Sequence, residues 1–174
     1  MPLDTDPHAV SGSYWRHTRA GANPRYRPTP PADNRWQRGS IVDALYLAES
    51  ADTAWAEWYR YLAEDGISPV EQMPRDLWEW SIRVEVADLS TPARLDRVGL
   101  PQPTPGRLTF PAYQVVGEQL WREGWSGLLA PSAARPSLGQ VLCLFRTALL
   151  IPGTLPIAAE TFAVPPPPPL GMTT

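Results

Sequence analysis

The sequence predicts a single α+β domain in which small mixed β-sheets and flanking helices surround a cleft. Residues 77–86 alternate between apolar and polar side chains, which is the period of a half-buried strand. Residues 51–62 instead place Trp55, Trp58 and Leu62 at helical spacing on one face. Predicted strands and helices follow one another irregularly, and this irregular order favours α+β over a doubly wound parallel sheet.

Several further segments have a predicted secondary structure. The helix over residues 51–62 begins after Ser50, which can cap it, and a second helix over residues 112–123 ends at Gly124. The remaining predicted elements are strands, at residues 14–18, 41–48, 127–130 and 140–147.

Three regions are predicted along the 174 residues. Residues 1–13 are polar and lack periodicity, so we expect a flexible N-terminus. Residues 14–151 form the folded domain. Residues 152–174 are a Pro-rich C-terminal tail, whose run of five prolines at 165–169 favours an extended conformation. Because proline cannot enter a regular helix or a central strand, deletion of residues 165–174 is expected to leave folding unchanged.

Composition narrows the class of protein. The hydrophobic fraction of 43% is typical of a globular chain, and the net charge of −3 argues against direct nucleic-acid binding. All 15 basic residues are Arg, so no lysine is available for a Schiff base. No apolar run has the length of a signal peptide or a membrane span. We therefore expect a cytoplasmic protein without membrane contact.

Five polar residues lie at an end or on the polar side of a predicted element: Arg16, Arg35, Tyr46, Glu57 and Ser132. The arginines can grip phosphate oxygens, the tyrosine can stack on a heterocycle, and the glutamate can stabilise an oxocarbenium-like centre. The serine hydroxyl can hold a ligand amide or phosphate. Each residue also has an ordinary interpretation, as a surface arginine, a half-exposed strand tyrosine, a solvated helix glutamate or a turn serine.

Other chemistries find little support in the sequence. One cysteine, Cys143, and two histidines cannot supply a credible zinc site, and no metal cofactor is predicted. Neither histidine accompanies a nucleophile elbow, and no glycine-rich phosphate loop of a common type is present.

Four segments together resemble the RES-domain family, which is named for its Arg, Glu and Ser. The family's usual Gly-Arg-Trp-Asn reads Asn34-Arg35-Trp36-Gln37 in this chain, so its glycine and asparagine are replaced. The other three segments are Leu45-Tyr46-Leu47-Ala48-Glu49-Ser50, Ala54-Trp55-Ala56-Glu57 and Gly127-Leu128-Leu129-Ala130-Pro131-Ser132-Ala133-Ala134-Arg135.

The resemblance implies a fold similar to ADP-ribosyltransferases and an NAD-degrading toxin of a bacterial toxin–antitoxin pair. NAD is then the substrate rather than a cofactor, and the acceptor is either inorganic phosphate, in an NAD phosphorylase, or water, in an NAD glycohydrolase. Glu57 would stabilise the ribosyl cation, Ser132 would fix substrate geometry, and Arg35 with Arg16 would hold phosphate. Tyr46 would pack against nicotinamide or ribose.

The resemblance also implies a partner, a helix-turn-helix antitoxin that blocks the cleft. It leaves the oligomeric state open. Two alternatives remain at this point: a protein ADP-ribosyltransferase, which breaks the same bond but uses another acceptor, and a non-catalytic binding module whose Pro-rich tail docks a partner.

Overall fold

A computed structural model describes residues 1–173 as one α+β domain with six strands and three helices. Thr174, the last residue of the predicted tail, lies outside the described residues. The strands are β1 (Asp6–Arg19), β2 (Ala44–Ala48), β3 (Arg75–Asp88), β4 (Gly127–Pro131), β5 (Gln140–Phe145) and β6 (Leu155–Phe162). The helices are α1 (Ala51–Asp65), α2 (Pro92–Arg97) and α3 (Phe110–Arg122).

The strands form one closed sheet rather than several small ones, which corrects the predicted architecture. The order is β1-β2-β5-β4-β3-β6, and an additional pairing of β1 with β3 closes five strands into a small barrel. The sheet is mixed as predicted, because β3 and β4 are parallel and the other pairs are antiparallel. Strand β6 extends the sheet outside the ring, along the first half of β3. Closure removes sheet edges that would otherwise need protection.

Side-chain alternation along the strands divides the core in two. Leu45 and Leu47 of β2 belong to a buried cluster with Trp80 of β3 and Leu142 of β5, all with at most 2% of their surface exposed. The neighbouring β2 residue, Tyr46, points to the opposite face and packs against the cluster under α3. One set of strand residues therefore fills the barrel, and the other set anchors helices outside it.

Helix α1 begins where the sequence predicted. Ser50 adopts an extended conformation and its hydroxyl accepts from the backbone N–H of Thr53, so the predicted cap is confirmed. The helix ends at Gly66 in the left-handed conformation, with φ of 64°. Its buried face, with Trp55 and Trp58, packs on the sheet beside β1 and β2. Packing of this face fixes the rotation of the helix and therefore the direction of its polar flank.

Helix α3 approaches the segment around Trp36 without an intervening side chain. A Cβ atom on Gly117 would lie 2.1 Å from the Trp36 carbonyl oxygen, closer than real contacts allow. On the same helix, Tyr113 packs edge-on against the Trp36 ring, with centroids 5.1 Å apart. The helix therefore clamps Trp36 directly to the body of the protein.

Gly117→Ala is expected to destabilise the fold, although alanine is the better helix former. The methyl group must push the Trp36 backbone away, and such overpacking costs about 1–3 kcal/mol, or roughly 3–10 °C in Tm. Val115→Ala is the matched control, because Val115 lies on the same helix and is 59% exposed. Thermal unfolding of both variants measures the effect. A Gly117→Ala protein that is as stable as the Val115→Ala protein would contradict the close contact.

Both predicted ends of the domain differ from the structure. The segment predicted as a flexible N-terminus contains the first part of β1, which begins at Asp6 and pairs with β3 along its whole length. Arg97 of α2 also binds the carboxylates of Asp4 and Asp6. The segment predicted as a tail contains β6, a strand at the outer edge of the sheet, where a proline is tolerated. Both strands are specified by backbone pairing with distant β3, which local periodicity does not reveal.

Within residues 1–173, no helix combines the length and the apolar character required to cross a bilayer.

Candidate active site

Both oxygens of the Glu57 carboxylate accept hydrogen bonds from other residues of the protein. Its Oε1 accepts from the Ser132 hydroxyl at 2.6 Å and from the Ala134 backbone N–H at 3.3 Å. Its Oε2 accepts from Arg60 Nε at 3.0 Å, and Arg60 Nη2 lies at the same distance. The side chain nevertheless remains 22% exposed. Glu57 is therefore a preorganised negative charge that solvent or a ligand can still reach.

Ser132 is fully buried and organises the loop that follows β4. Its hydroxyl donates to Glu57 and accepts from the backbone N–H groups of Ala134, at 3.1 Å, and Arg135, at 3.0 Å. All three bonds are used inside the protein, so Ser132 fixes the orientation of the Glu57 carboxylate. Helix α1 and the end of β4, 75 residues apart in sequence, meet at this hydrogen bond.

Arg35 lies in a tight turn formed by residues 34–37, and most of its surface is buried. Asn34 and Gln37 close this turn with reciprocal backbone hydrogen bonds of 2.9 and 3.2 Å. The Arg35 guanidinium is 8% exposed; it donates to the Thr104 carbonyl at 2.6 Å and stacks over Phe110. The two residues that replace the usual glycine and asparagine therefore build the turn that presents Arg35.

Electrostatics link Arg35 to the glutamate. Burial lowers the pKa of the Arg35 guanidinium, the positive charge of Arg60 lowers it further, and the charges of Glu57 and Glu64 raise it. Arg60 also pairs with Glu64, one helical turn further along α1. Arg35 and the polar flank of α1 therefore form one charged cluster.

Arg16 and Tyr46 line an adjacent cavity. This space of about 100 Å³ is bounded by Arg16, Tyr46 and the turn residues Asn34 and Gln37, among others. The Tyr46 hydroxyl accepts from the Trp36 backbone N–H at 3.2 Å, and burial raises its pKa well above the ordinary value. Tyr46 therefore stays protonated at neutral pH and can act as a neutral wall or donor.

The structure thus brings the five predicted residues into two neighbouring groups. Glu57 and Ser132 are in direct contact, and Arg35 is electrostatically coupled to Glu57. Arg16 and Tyr46 line the cavity that the turn residues Asn34 and Gln37 also bound. Sequence reasoning missed Arg60, although its position three residues after Glu57 on a predicted helix was a usable signal.

Metal and thiol chemistry find no support in the described residues. Within residues 1–173, no group of three or more His, Cys, Asp or Glu side chains could hold a metal ion. Cys143 is fully buried in β5, and burial raises the pKa of its thiol to about 12. A buried thiol that stays protonated is a poor nucleophile.

The C-terminal segment packs against the loop that carries Ser132. The Leu170 carbonyl accepts from Arg135 Nε at 3.0 Å, and the Thr173 backbone N–H donates to the Ala134 carbonyl at 2.7 Å. The Tyr59 hydroxyl also donates to the Pro166 carbonyl. The C-terminal segment is therefore hydrogen-bonded to the loop after Ser132, so its deletion is expected to lower the stability of the fold.

Deletion of residues 165–174 is now expected to lower Tm by roughly 5–10 °C. The deletion removes the hydrogen bonds that Pro166, Leu170 and Thr173 make with the body, and those formed by backbone groups of the tail are worth about 1 kcal/mol each, net. Leu170→Ser is the control, because the Leu170 side chain is 86% exposed and its backbone carbonyl remains in place. Calorimetry of the two proteins distinguishes them. An unchanged Tm after deletion would restore the earlier view of a detached tail.

With this geometry in place, comparison with known proteins identifies the class. The RES domain family model matches residues 7–162, and the chain belongs to this family. The match begins near the start of β1 and ends at the end of β6, so the family domain includes β6 and the first part of β1, which the sequence prediction had left outside.

Individual relatives agree with this assignment to different extents. "Probable NAD(+) phosphorylase Rv3189" of Mycobacterium tuberculosis is 26% identical over 159 residues, covering 90% of this chain and 74% of the relative. The heme-binding subunit MsrQ of the protein-methionine-sulfoxide reductase of Caulobacter vibrioides is 33% identical over 73 residues. That match spans 41% of this chain and only 33% of the relative, so it carries no functional argument.

A solved structure shares the fold. The crystal structure of the MbcT–MbcA toxin–antitoxin complex of M. tuberculosis aligns with a TM-score of 0.77 and 22% identity, covering 90% of this chain and 87% of the matched chain. At this identity the similarity establishes the architecture, a single mixed domain.

Proposed function

We propose that this chain cleaves the N-glycosidic bond between nicotinamide and ribose in NAD and acts as the toxin of a toxin–antitoxin pair. Support comes from the RES family membership, from the relative named as a probable NAD(+) phosphorylase, and from the toxin–antitoxin structure with the same fold. The observation that carries the proposal is the Glu57 carboxylate, fixed by Ser132 and Arg60 yet partly exposed.

The chemistry suits such a site. When the bond between ribose C1′ and the nicotinamide nitrogen breaks, the electron pair goes to nicotinamide, which leaves as a neutral molecule. The ribosyl centre becomes positive, and Glu57 is the negative charge assigned to stabilise it. A phosphate oxygen then bonds to C1′ to give ADP-ribose 1-phosphate, or a water oxygen bonds to C1′ and releases a proton to solvent to give ADP-ribose. Positioning and charge stabilisation are the main tasks left to the protein.

The other site residues take supporting roles in this proposal. Ser132 fixes the carboxylate and the substrate geometry, and Tyr46 packs against nicotinamide or ribose. Arg35 and Arg16 hold the diphosphate or the incoming phosphate. A likeness of the fold to ADP-ribosyltransferases, and a helix-turn-helix antitoxin that covers the site in a cytoplasmic complex, remain predictions of the same proposal.

Expression in bacteria without a partner tests the toxin role. The parent chain is expected to slow growth and to lower cellular NAD, whereas Glu57→Gln, expressed to the same level, is expected to do neither. Cellular NAD and growth are measured together after induction. Normal NAD during strong expression of folded parent protein would refute the toxin proposal.

A further inference from the structure

A second cavity, of about 510 Å³, shares Arg16 with the cavity lined by Tyr46 and has a strongly cationic wall. Arg16, Arg19 and Arg75 line it, and no Asp or Glu does. The guanidinium of Arg16 donates to the backbone carbonyls of Pro24 and Tyr26, the latter at 2.7 Å. The guanidinium of Arg75 donates to a histidine nitrogen. In a chain of net charge −3, this wall concentrates positive charge without matching carboxylates.

His17 positions Arg75 without neutralising it. Its Nδ1 accepts from Arg75 Nε at 3.2 Å and lies 3.0 Å from Arg75 Nη2. The imidazole stacks on Trp55, with centroids 5.5 Å apart. Burial, together with the charges of Arg75 and Arg16, lowers the pKa of His17 well below its usual value. A neutral His17 can accept through Nδ1, so it directs the guanidinium while leaving the positive charge uncompensated.

The two half-buried arginines carry an electrostatic cost that an anion would relieve. Burial and the charges of Arg146 and Arg75 lower the pKa of Arg16 to about 10, and burial and Arg19 lower that of Arg75 to about 10. Both guanidiniums remain charged at neutral pH. Phosphate oxygens match the forked geometry of guanidinium donors and supply the missing negative charge.

The remaining walls suit a flat heterocycle. The guanidinium of Arg75 lies over the Trp58 ring, 5.6 Å from its centroid, so that face is already occupied. Tyr26 and Tyr61 also line the cavity and are 57% and 47% exposed; the Arg107 guanidinium lies 5.7 Å from the Tyr61 ring centroid and covers one face of that ring. Aromatic faces of this kind stack with nucleic-acid bases. The volume is typical of sites for small organic ligands, and a single phosphate ion would leave most of it empty.

From these observations we propose that this cavity binds the adenosine diphosphate half of the dinucleotide, with Arg16 and Arg75 on the phosphates and Tyr26 or Tyr61 against the adenine. The inference rests on the proposed function, which supplies a dinucleotide substrate. Arg16, Tyr26 and Pro28 are shared walls of this cavity and of the smaller one lined by Tyr46. A ligand extending past Arg16 therefore reaches from one cavity to the other.

Titration calorimetry of the full chain with ADP, inorganic pyrophosphate and inorganic phosphate tests the assignment. The parent protein is expected to bind ADP more tightly than pyrophosphate, because only ADP carries a base. Arg75→Gln is expected to weaken both by about 10- to 100-fold. Tyr61→Ala and Tyr26→Ala are the base-side variants, and at least one of them is expected to weaken ADP alone. Arg83→Gln is the matched control, since Arg83 lies on the same strand, is exposed and is outside the cavity.

Two further variants separate positioning by His17 from a purely structural role. The side-chain oxygen of His17→Asn can replace the Nδ1 acceptor, whereas His17→Leu cannot. We expect His17→Asn to retain most ADP affinity and His17→Leu to lose it while remaining folded by circular dichroism. Equal loss in both variants would reduce His17 to a packing residue and overturn its assigned role.

The measurement of ADP binding does not depend on NAD cleavage, so the two proposals can fail separately. ADP binding that is lost in Arg75→Gln supports the cavity assignment even if NAD stays intact, in which case the proposed reaction alone fails. Failure of folded parent protein to bind ADP, ADP affinity no greater than that of pyrophosphate or phosphate, or unchanged affinity in Arg75→Gln would each overturn the inference.

Discussion

Glu57→Gln is expected to lower the turnover of NAD by roughly two to three orders of magnitude while leaving NAD affinity nearly unchanged. The substitution keeps the size of the side chain but removes the negative charge, and the ribosyl cation that needs this charge exists only near the transition state. Steady-state and single-turnover nicotinamide release, with NAD binding measured separately, give the two quantities.

Glu57→Gln also changes the hydrogen bonds of the side chain. Glu57 accepts from Ser132 and Arg60, and the amide nitrogen of glutamine cannot accept from either. Ser132→Ala is therefore a useful companion, since it keeps the charge and removes one of its supports. We expect a smaller loss of turnover for Ser132→Ala than for Glu57→Gln. Parental turnover in a folded Glu57→Gln protein would remove Glu57 from the mechanism.

Arg35→Ala is expected to lower kcat/KM by about 10- to 100-fold, with a weaker affinity for NAD as well as a lower rate. A phosphate contact exists in the ground state as well as in the transition state, unlike the contact between Glu57 and the cation. The variant also leaves the Thr104 carbonyl without its guanidinium donor, so Tm should fall by several degrees, roughly 2–4 °C per kcal/mol lost.

Two controls separate these effects. Arg35→Lys keeps the positive charge but loses the guanidinium fork, and we expect it to recover only part of the activity. Arg83→Ala removes an exposed arginine of β3 that lines neither cavity, and it should leave NAD affinity unchanged. If Arg35→Ala lowers Tm but leaves kcat/KM intact, Arg35 is a structural anchor for the 104–109 segment and not a substrate contact.

Local sequence signals predicted helix α1 well because its information is contained in one segment. Ser50 caps it, Trp55 and Trp58 mark the buried face, and Glu57 falls on the flank beside that face. The same reasoning placed strands at the right positions for β2 to β5. These elements carry their own periodicity, so no knowledge of distant partners was required.

Sequence reasoning failed where structure depends on partners far along the chain. The predicted strand at residues 14–18 lies within β1, but the sequence missed residues 6–13, which are specified by pairing with β3 in a ladder from Asp6 opposite Asp88 to Arg19 opposite Arg75. That register also brings Arg16, His17 and Arg75 to one cavity. Closure of the sheet has the same origin, because it needs the β1–β3 pairing. No spacing within a single segment encodes these relations.

For the site residues too, sequence reasoning succeeded with local features and failed with contacts between distant segments. The predicted residues were chosen one at a time, and the contact between Ser132 and Glu57 follows only from the tertiary packing that brings the loop after β4 against α1. The resemblance to a family indicated which residues belong to the site, and only the fold shows which of them are in contact. The attachment of the tail to Ala134 and Arg135 was not foreseen, because the tail contributes its backbone groups, the Leu170 carbonyl and the Thr173 N–H, to these bonds.

Product analysis of purified protein incubated with NAD, in buffers with and without inorganic phosphate, tests the account most directly. We expect release of nicotinamide together with ADP-ribose 1-phosphate if phosphate is the acceptor, or with ADP-ribose in both buffers if water is. Chromatography with mass detection distinguishes these products. NAD that remains intact in both buffers, with protein shown to be folded and free of any partner, would contradict it.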